Sequence, residues 1–251
     1  MSGHSKWATI KHQKGAKDKA RGKLFAKLLR QVEVAAREGG GDPDTNPTLR
    51  TMFQKARDAS VPMDTIDRAI KRGTGELEGV TYEQITYEGY APGGVAVLVE
   101  VLTDNRNRTG ADIRSLFTRN GGSIAEPGAV AWQFDRKGQV LVDRSVDEDD
   151  LMLVALDGGA DDLADDGELW RVMCPPTDLH RVRTAIEEAG MAVDSSDLTM
   201  VPQTTIPLDG ADGAKKVLRL IDQLDEQDDV QQVHANFDIP DAILSEMSVE
   251  V

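Results

Sequence analysis

The chain has 251 residues, 39% of them hydrophobic and 29% charged, which favours a globular protein of two or three domains over a disordered one. Its 29 Lys and Arg are outnumbered by 44 Asp and Glu, giving a net charge of −15. One cysteine excludes an internal disulfide, no apolar run approaches the roughly 20 residues of a membrane span, and the opening residues lack the apolar stretch of a signal peptide, so we predict a cytoplasmic protein.

The charge is divided unevenly along the chain. Residues 1–30 carry nine Lys or Arg and one acid, a net of +8, so residues 31–251 sum to −23. Concentrated positive charge on an acidic protein is typical of nucleic-acid binding. The alternative, a disordered basic tail without a partner, fits less well because the basic stretch continues directly into a patterned helix.

The first predicted helix spans about residues 17–38. Its apolar residues recur at helical spacing on one side: Leu24, Phe25, Leu28, Leu29, Val32 and Ala36. Its bases cluster on another arc: Lys19, Lys23, Lys27, Arg30 and Arg37. The helix is therefore predicted to pack on a core with one face and to present cations with the other, and to end at the glycines 39–41.

Two more helices follow in the predicted N-terminal domain. Asn46 is a good N-cap before Pro47, and an apolar stripe then runs through about residue 56. After the break at 60–62, a second stripe ends at Gly73, where we predict a left-handed cap. Residues 1–78 are thus predicted to form a basic all-α domain that binds nucleic acid.

The rest of the chain alternates strands and helices. Residues 95–102 are nearly all apolar and β-branched, which predicts a central strand buried on both faces. The other predicted strands are 82–90, 129–134, 138–143, 168–174, 191–200 and 230–237. The predicted helices are 109–120, 147–156, 178–189 and 211–225.

The order of these elements predicts an insertion. Residues 135–204 contain a self-contained βαβαβ run, whereas 79–134 and 205–251 each lack part of a two-layer unit and complete one another. We therefore predict a multi-domain protein: an N-terminal three-helix domain followed by two α+β two-layer domains, one inserted in the other. The insertion is 135–204, and its host domain is 79–134 plus 205–251.

The chain contains no recognisable catalytic motif. The four histidines are scattered without metal-ligand spacing, and no nucleophile elbow, Walker loop or dinucleotide fingerprint is present. The acidic run 147–150 falls at a helix N-terminus, where it stabilises the helix, and 161–166 lacks the pattern of a calcium loop. Cys174, in an apolar strand, is predicted to be a buried structural thiol. We predict no enzyme activity, no metal and no cofactor.

A second positive segment, 105–110, lies between the predicted central strand and its helix. It contains Arg106 and Arg108. Two interpretations stay open: a loop that contacts phosphate or RNA, or a polar turn and helix start in which Thr109 or Asp104 caps the helix.

Several long motifs resemble the YebC/PmpR family. They are residues 1–12 (MSGHSKWATIKH), 18–27 (DKARGKLFAK), 40–43 (GGDP), 61–73 (VPMDTIDRAIKRG), 87–94 (YEGYAPGG) and 103–109 (TDNRNRT). The resemblance covers the whole chain. His12 is a small departure, since that stretch is usually richer in lysine.

The resemblance implies a helical N-terminal domain and two α+β domains. It also implies a regulator of gene expression rather than an enzyme: members are described as probable DNA-binding transcriptional regulators. A mitochondrial relative is a translational activator of cytochrome c oxidase, and bacterial members have been assigned to ribosome-associated translation, relieving stalls at proline-rich stretches.

We therefore predict a non-enzymatic nucleic-acid-binding regulator, whose partner is DNA or ribosomal RNA and which needs no membrane. The predicted contacts are Lys6, Trp7, Lys11, His12, Lys14, Lys17, Lys19, Arg21, Lys23, Lys27, Arg30, Arg106 and Arg108. Trp7 and His12 are the stacking candidates. Because no base-reading signature is present, we favour the translation role. The alternatives are a DNA-binding transcriptional regulator and a protein-interaction scaffold anchored by its basic head.

Overall fold

The computed structural model describes residues 17–167, 169–208, 210–240 and 243, with side chains from Arg21 onward. The α-helices of this part are α1 (Lys17–Gly39), α2 (Pro47–Asp58), α3 (Met63–Thr74), α4 (Arg106–Arg119), α5 (Glu148–Asp157), α6 (Leu179–Glu188) and α7 (Ala211–Asp225). The longer strands are β1 (Glu83–Tyr90), β2 (Ala96–Thr103), β4 (Phe134–Asp143), β5 (Asp162–Asp165), β6 (Leu169–Cys174), β7 (Val193–Pro202) and β9 (Val230–Ala235). The two-residue strands are β3 (Ser123–Ile124), β8 (Ile206–Pro207) and β10 (Phe237–Asp238). The predicted fold class, helices followed by α+β sheet domains, is confirmed. None of the described helices combines the length and the apolar character needed to cross a bilayer.

The chain divides into two compact units. Among the described residues, unit I contains 81–135 and 201–243, and unit II contains 17–80 and 136–200. The three domain boundaries placed in the sequence stay predictions.

The helical part of unit II is held by packing of α1 against α2 and α3. Its core includes Val32, Leu49 and Ile66, all fully buried. The predicted cap is confirmed: the Asn46 side-chain oxygen accepts the Leu49 N–H at 3.0 Å. The Asn46 amide also donates to the carbonyl oxygens of Ala35 and Gly40, at 2.8 and 2.9 Å, so one side chain satisfies the end of α1 and the start of α2.

The cap predicted at Gly73 is wrong. Helix α3 continues to Thr74, and Gly75 takes the left-handed conformation with φ +86°. Gly73 lies inside the helix, where an added Cβ would clash with the Glu33 carbonyl oxygen. The glycine is needed because α1 and α3 approach each other closely there.

The sheet of unit II has the strand order β5-β6-β4-β7. β6 pairs antiparallel with both β4 and β5. Helices α5 and α6 cover it through a core that includes Val140, Trp170, Val172 and Val182. Strand β5 was not predicted, because its run of acids hides a pairing with β6 that only the register reveals.

The main sheet of unit I has the order β3-β1-β2-β9. β2 lies between β1 and β9, and seven of its eight residues are buried, which confirms the predicted central strand. Helices α4 and α7 pack on one face through Ile113, Phe117 and Leu220. In this order a C-terminal strand, β9, completes the sheet begun by β1–β3.

The strand predicted at 129–134 is wrong. Residues 131–133 form a 3-10 turn, and β4 begins only at Phe134. The buried carboxylate of Glu88 explains the difference, because it accepts the backbone N–H groups of Gly128, Val130 and Ala131 at 2.6, 2.6 and 2.9 Å. Those N–H groups are therefore unavailable to a strand ladder.

Candidate nucleic-acid interface

The predicted contact residues fall into three groups in the structure. Five lie outside the described residues: Lys6, Trp7, Lys11, His12 and Lys14. Lys17 and Lys19 belong to the first turn of α1. The remaining six have described side chains, four on α1 in unit II and two on α4 in unit I.

The start of α1 concentrates positive charge. Residues 17–23 include four Lys or Arg and one acid. The N-terminus of a helix is the positive end of its dipole, where acids stabilise and bases destabilise the helix. Four cations at that end therefore cost stability in the free protein, and an anion bound there would reverse the cost.

The side chains of α1 separate in the way the spacing predicts. Arg21 and Lys23 are exposed, Lys27 and Arg30 are half-buried, and Leu28 lies in the core on the other side. The Arg21 guanidinium lies 5.3 Å from the centroid of the Phe25 ring, a contact that holds it against the helix surface. The exposed cations are therefore nearest the start of the helix.

Arg37 does not belong to the basic arc. Its guanidinium pairs with the buried carboxylate of Glu33 at 3.3 Å and donates to the Val80 carbonyl oxygen at 3.0 Å. Arg72 pairs with the other Glu33 oxygen at 2.9 Å. Both arginines neutralise a buried acid inside unit II, so they stabilise the fold rather than offer charge to a ligand.

The segment around Arg106 and Arg108 is a helix start and not a loop. Helix α4 begins at Arg106, three residues before the predicted Thr109. Asn105 is its N-cap, accepting the Arg108 N–H at 3.1 Å. The segment is therefore a helix start, but its cap is Asn105 and not the predicted Thr109 or Asp104. Both arginines lie in the first turn of α4, and their contact with phosphate stays a prediction.

A polar network anchors that first turn. The Asp229 carboxylate accepts from the hydroxyl of Thr109 at 2.6 Å, from Thr103 at 3.2 Å and from the Arg108 guanidinium at 2.9 Å. Thr103 also accepts the Asn105 N–H at 2.9 Å. These contacts join the end of β2, the start of α4 and the residue before β9, so they are internal to unit I.

The opposite charges of Asp229 and Arg108 stabilise one another. Burial by itself raises the pKa of Asp229, but hydrogen bonds from Thr109 and Arg108 outweigh burial and hold that pKa below its usual value. The hydrogen bonds that Arg108 donates to Asp229 and Asp104 raise the pKa of Arg108. Because two carboxylates already neutralise Arg108, a phosphate would have to displace them.

Arg106 and Arg114 present a different surface of α4. Both are exposed, and the positive charge of both lowers the pKa of the Tyr87 hydroxyl. That hydroxyl donates to the Arg106 carbonyl oxygen at 3.4 Å. Burial raises the pKa of Tyr87, and the two arginines partly offset the rise. Sequence reasoning missed Tyr87; its alternation in β1 toward the helix-covered face was the available signal.

The described residues offer little for catalysis. Burial, with further contributions from Asp178 and Asp161, raises the pKa of the Cys174 thiol to about 11, so the thiol is protonated at neutral pH. Cys174 is free and buried, as a structural thiol would be. Within the described ranges, no group of three His, Cys, Asp or Glu side chains is arranged to hold a metal ion.

Comparison with known proteins places this architecture in a defined class. The family model described as "TACO1/YebC protein N-terminal domain" matches residues 5–76, and that described as "TACO1/YebC second and third domain" matches residues 82–237. The chain therefore belongs to the TACO1/YebC family.

Close relatives carry regulatory names. A "Probable transcriptional regulatory protein" of Halothermothrix orenii is 53% identical over all of both chains. One of Beutenbergia cavernae is 57% identical over 98% of this chain and 99% of its own. A solved structure, "Crystal Structure of a Conserved Hypothetical Protein Aq1575 from Aquifex Aeolicus", is 44% identical, covers 89% of this chain and 93% of that chain, and has a TM-score of 0.83.

Proposed function

We propose that the protein is a non-enzymatic regulator of gene expression that binds the phosphate backbone of nucleic acid through the basic start of α1. The observation that carries the proposal is the cluster of cations at the positive end of α1, in a chain with a net charge of −15. The contacts we assign on α1 are Lys17, Lys19, Arg21, Lys23, Lys27 and Arg30. Lys6, Lys11 and Lys14 extend this set, with Trp7 and His12 stacking on bases.

The charge distribution gives this interface its selectivity. Phosphates attracted to the start of α1 release condensed counterions, so affinity depends steeply on salt. Residues 31–251 sum to −23 and repel the same polyanion. The acidic body thus limits nonspecific wrapping and leaves the basic segment as the point of contact.

We favour structured ribosomal RNA as the target and a role in translation through proline-rich stretches in the cytoplasm. Lysine, the most frequent base of the arc, is a point charge suited to phosphate rather than to bidentate contacts with guanine. Recognition by backbone and shape is how proteins bind folded RNA. In the second positive segment, 105–110, we assign contact with RNA phosphate to Arg106 in preference to Arg108, because Asp229 and Asp104 already pair with Arg108.

A DNA-binding transcriptional regulator is the second candidate function. It is supported by the names of the relatives, which at 53% and 57% identity are both "Probable transcriptional regulatory protein". The two candidates share the phosphate contact and differ in base discrimination. A site-specific regulator binds its target with an affinity roughly 10³-fold or more above its affinity for nonspecific DNA. For this protein we expect the affinities for a promoter fragment and for scrambled duplex to differ by less than about tenfold.

Charge reversal tests the shared phosphate contact. Changing Lys19, Lys23 and Lys27 to Glu is expected to abolish binding to duplex and to ribosomal RNA. The matched control reverses three exposed bases of α7, Lys215, Lys216 and Arg219, with the same change in net charge. For the wild type, neutralising about five phosphates gives a slope of log affinity against log salt near −4 to −5. Equal losses in both variants, or affinity independent of salt, would contradict the proposal.

A second experiment separates the two candidates. Arg106→Ala with Arg114→Ala is expected to lower synthesis of proline-rich reporters in a reconstituted translation system while leaving duplex affinity unchanged. Two results together would favour the transcriptional regulator instead. One is that the variant supports synthesis of the proline-rich reporters as well as the wild type does, and the other is a footprint on one promoter that survives excess competitor DNA.

A further inference from the structure

Helix α5 exposes an apolar face that its own fold does not use. Met152 is 38% exposed, Leu153 67% and Leu156 53%. At 100° per residue these three side chains lie within an arc of about 100° on the helix. They form one continuous apolar surface, which we call the α5 face.

The core of unit II is completed by other residues of the same helix. Leu151 and Ala155 are fully buried against the sheet, and Val154 packs at the edge of the same cluster. The α5 face points away from this core. Among the described helices, none other carries three large apolar side chains of this exposure. Clustered exposed apolar residues of this kind mark interaction sites.

Acidic residues surround the α5 face. Residues 145–167 contain nine Asp or Glu and no Lys or Arg. Asp147 accepts the N–H groups of Asp149 and Asp150 at the start of the helix, at 3.0 and 3.2 Å. Asp161 and Asp165 pair with Lys137 and Arg144, each at 2.7 Å.

The acids nearest the apolar side chains have no such compensation. None of the described residues forms an ion pair with the carboxylates of Glu148, Asp149, Asp150 or Asp157. Three of these lie in the first turn of α5 and one at its last residue. The α5 face is therefore an apolar strip with negative charge at both ends.

We propose that the α5 face is the docking site for a basic amphipathic helix of a partner protein. Leucine-like side chains at i, i+3, i+4 and i+7 would pack on Met152, Leu153 and Leu156, and flanking Lys or Arg would pair with the acids at the two ends. Each of the apolar side chains would lose water, and each unpaired carboxylate would gain a cation.

The negative charge around the α5 face disfavours other occupants. A second copy docked face to face would bring the acids of residues 145–167 from both chains together, which is repulsive. Nucleic acid and anionic membranes are repelled for the same reason. Three apolar residues make a small interface, so the contact is expected to be transient and sensitive to salt.

A synthetic helical peptide tests this docking site. The probe is an 18-residue peptide with Leu at i, i+3, i+4 and i+7 and Lys elsewhere on its polar face; the comparison peptide has the same composition in a permuted order that lacks an apolar face. In fluorescence anisotropy we expect the full-length protein to bind the amphipathic peptide at least tenfold more tightly than the permuted one. Equal affinities for the two peptides would overturn the proposal, since bulk charge alone would then explain binding.

Variants of the protein locate the binding. Leu153→Ser with Leu156→Ser is expected to weaken the amphipathic peptide at least tenfold, with a melting temperature close to that of the wild type. The matched control, Leu77→Ser with Val80→Ser, removes two other exposed apolar side chains and is expected to bind as the wild type does. An unaffected Leu153/Leu156 variant would refute the assigned site.

The acids and the oligomeric state supply two further readouts. Asp149→Asn with Asp157→Asn is expected to flatten the salt dependence of peptide binding, and an unchanged salt dependence would contradict the role of the acidic rim. A dimer in sedimentation equilibrium that Leu153→Ser abolishes would identify a second copy as the occupant and overturn the choice of a basic partner.

Discussion

The ion pair between Asp58 and Arg183 gives the sharpest stability prediction for unit II. Asp58 ends α2, and Arg183 lies on α6. The guanidinium donates to both carboxylate oxygens, at 2.6 and 3.0 Å. The Arg183 side chain is only 8% exposed and that of Asp58 12%, so neither charge is well solvated if its partner is lost.

Asp58→Asn removes the charge and keeps the shape. Removing one partner of a buried pair costs about 3–5 kcal/mol, because the other charge stays buried without compensation. In this variant Arg183 still donates to Glu187 at 2.9 Å and to Ser196 at 2.7 Å. Because the Glu187 side chain is 47% exposed, it offsets the buried charge of Arg183 only in part. We therefore expect a loss of about 3 kcal/mol, the lower end of that range. For a protein of this size the midpoint of thermal unfolding falls by roughly 6–12 °C.

Trp170, buried in unit II, supplies the assay. Changing Trp7 and Trp132 to Phe leaves Trp170 as the fluorescent reporter of urea unfolding. Glu187→Gln is the matched control, since it neutralises an exposed partner of the same arginine and is expected to cost less than about 1 kcal/mol. Asp58→Leu combined with Arg183→Met removes both charges and is expected to recover most of the loss.

Two results would refute this reasoning. One is a loss below about 1 kcal/mol for Asp58→Asn, which would show that water solvates Arg183 in the folded protein. The other is a double variant as unstable as the single one, which would show that packing rather than the unpaired charge determines the cost.

The remaining predictions concern one glycine pair and one carboxylate. Gly73→Ala is expected to destabilise unit II by more than about 1 kcal/mol, because the added Cβ meets a backbone oxygen. Gly213→Ala in α7, where the Cβ enters open space, is expected to stabilise the protein by about 0.5–1 kcal/mol. Urea unfolding measures both free energies, and equal effects of the two substitutions would contradict the close approach of α1 and α3 at Gly73. Glu88→Gln is expected to cost about 2–3 kcal/mol at pH 7, since three backbone N–H groups lose a charged acceptor. Burial raises the pKa of Glu88, but the hydrogen bonds from those N–H groups outweigh burial and hold the pKa of the folded protein below the usual 4.5. The stabilisation by the Glu88 carboxylate is therefore fully present above pH 4.5 and is lost as the pH falls through the pKa of the folded protein. Melting curves of wild type and variant should converge below that pH, and a constant difference down to pH 2 would refute the assignment.

Local signals in the sequence were sufficient for several elements of this fold. Helix α7 has the predicted bounds 211–225, and Asn46 caps α2 as its position before Pro47 predicts. The apolar run of β2 predicted a strand buried on both faces. These features depend on periodicity and on hydrogen bonds between residues a few positions apart, which the chain encodes over a short window. The basic start of α1 was predictable in the same way, because charge is visible without a structure.

Tertiary structure decided the features that depend on distant residues. The strand predicted at 129–134 became a turn because Glu88, about 40 residues earlier, takes its N–H groups. Arg108 looked available to a ligand until Asp229, 121 residues later, proved to bind it. Gly73 is a packing glycine because the helix it faces comes within contact only after α1 and α3 fold together. Residue spacing reports periodicity within one element, whereas burial and ion pairing depend on which elements meet, and that is determined by the folded chain as a whole.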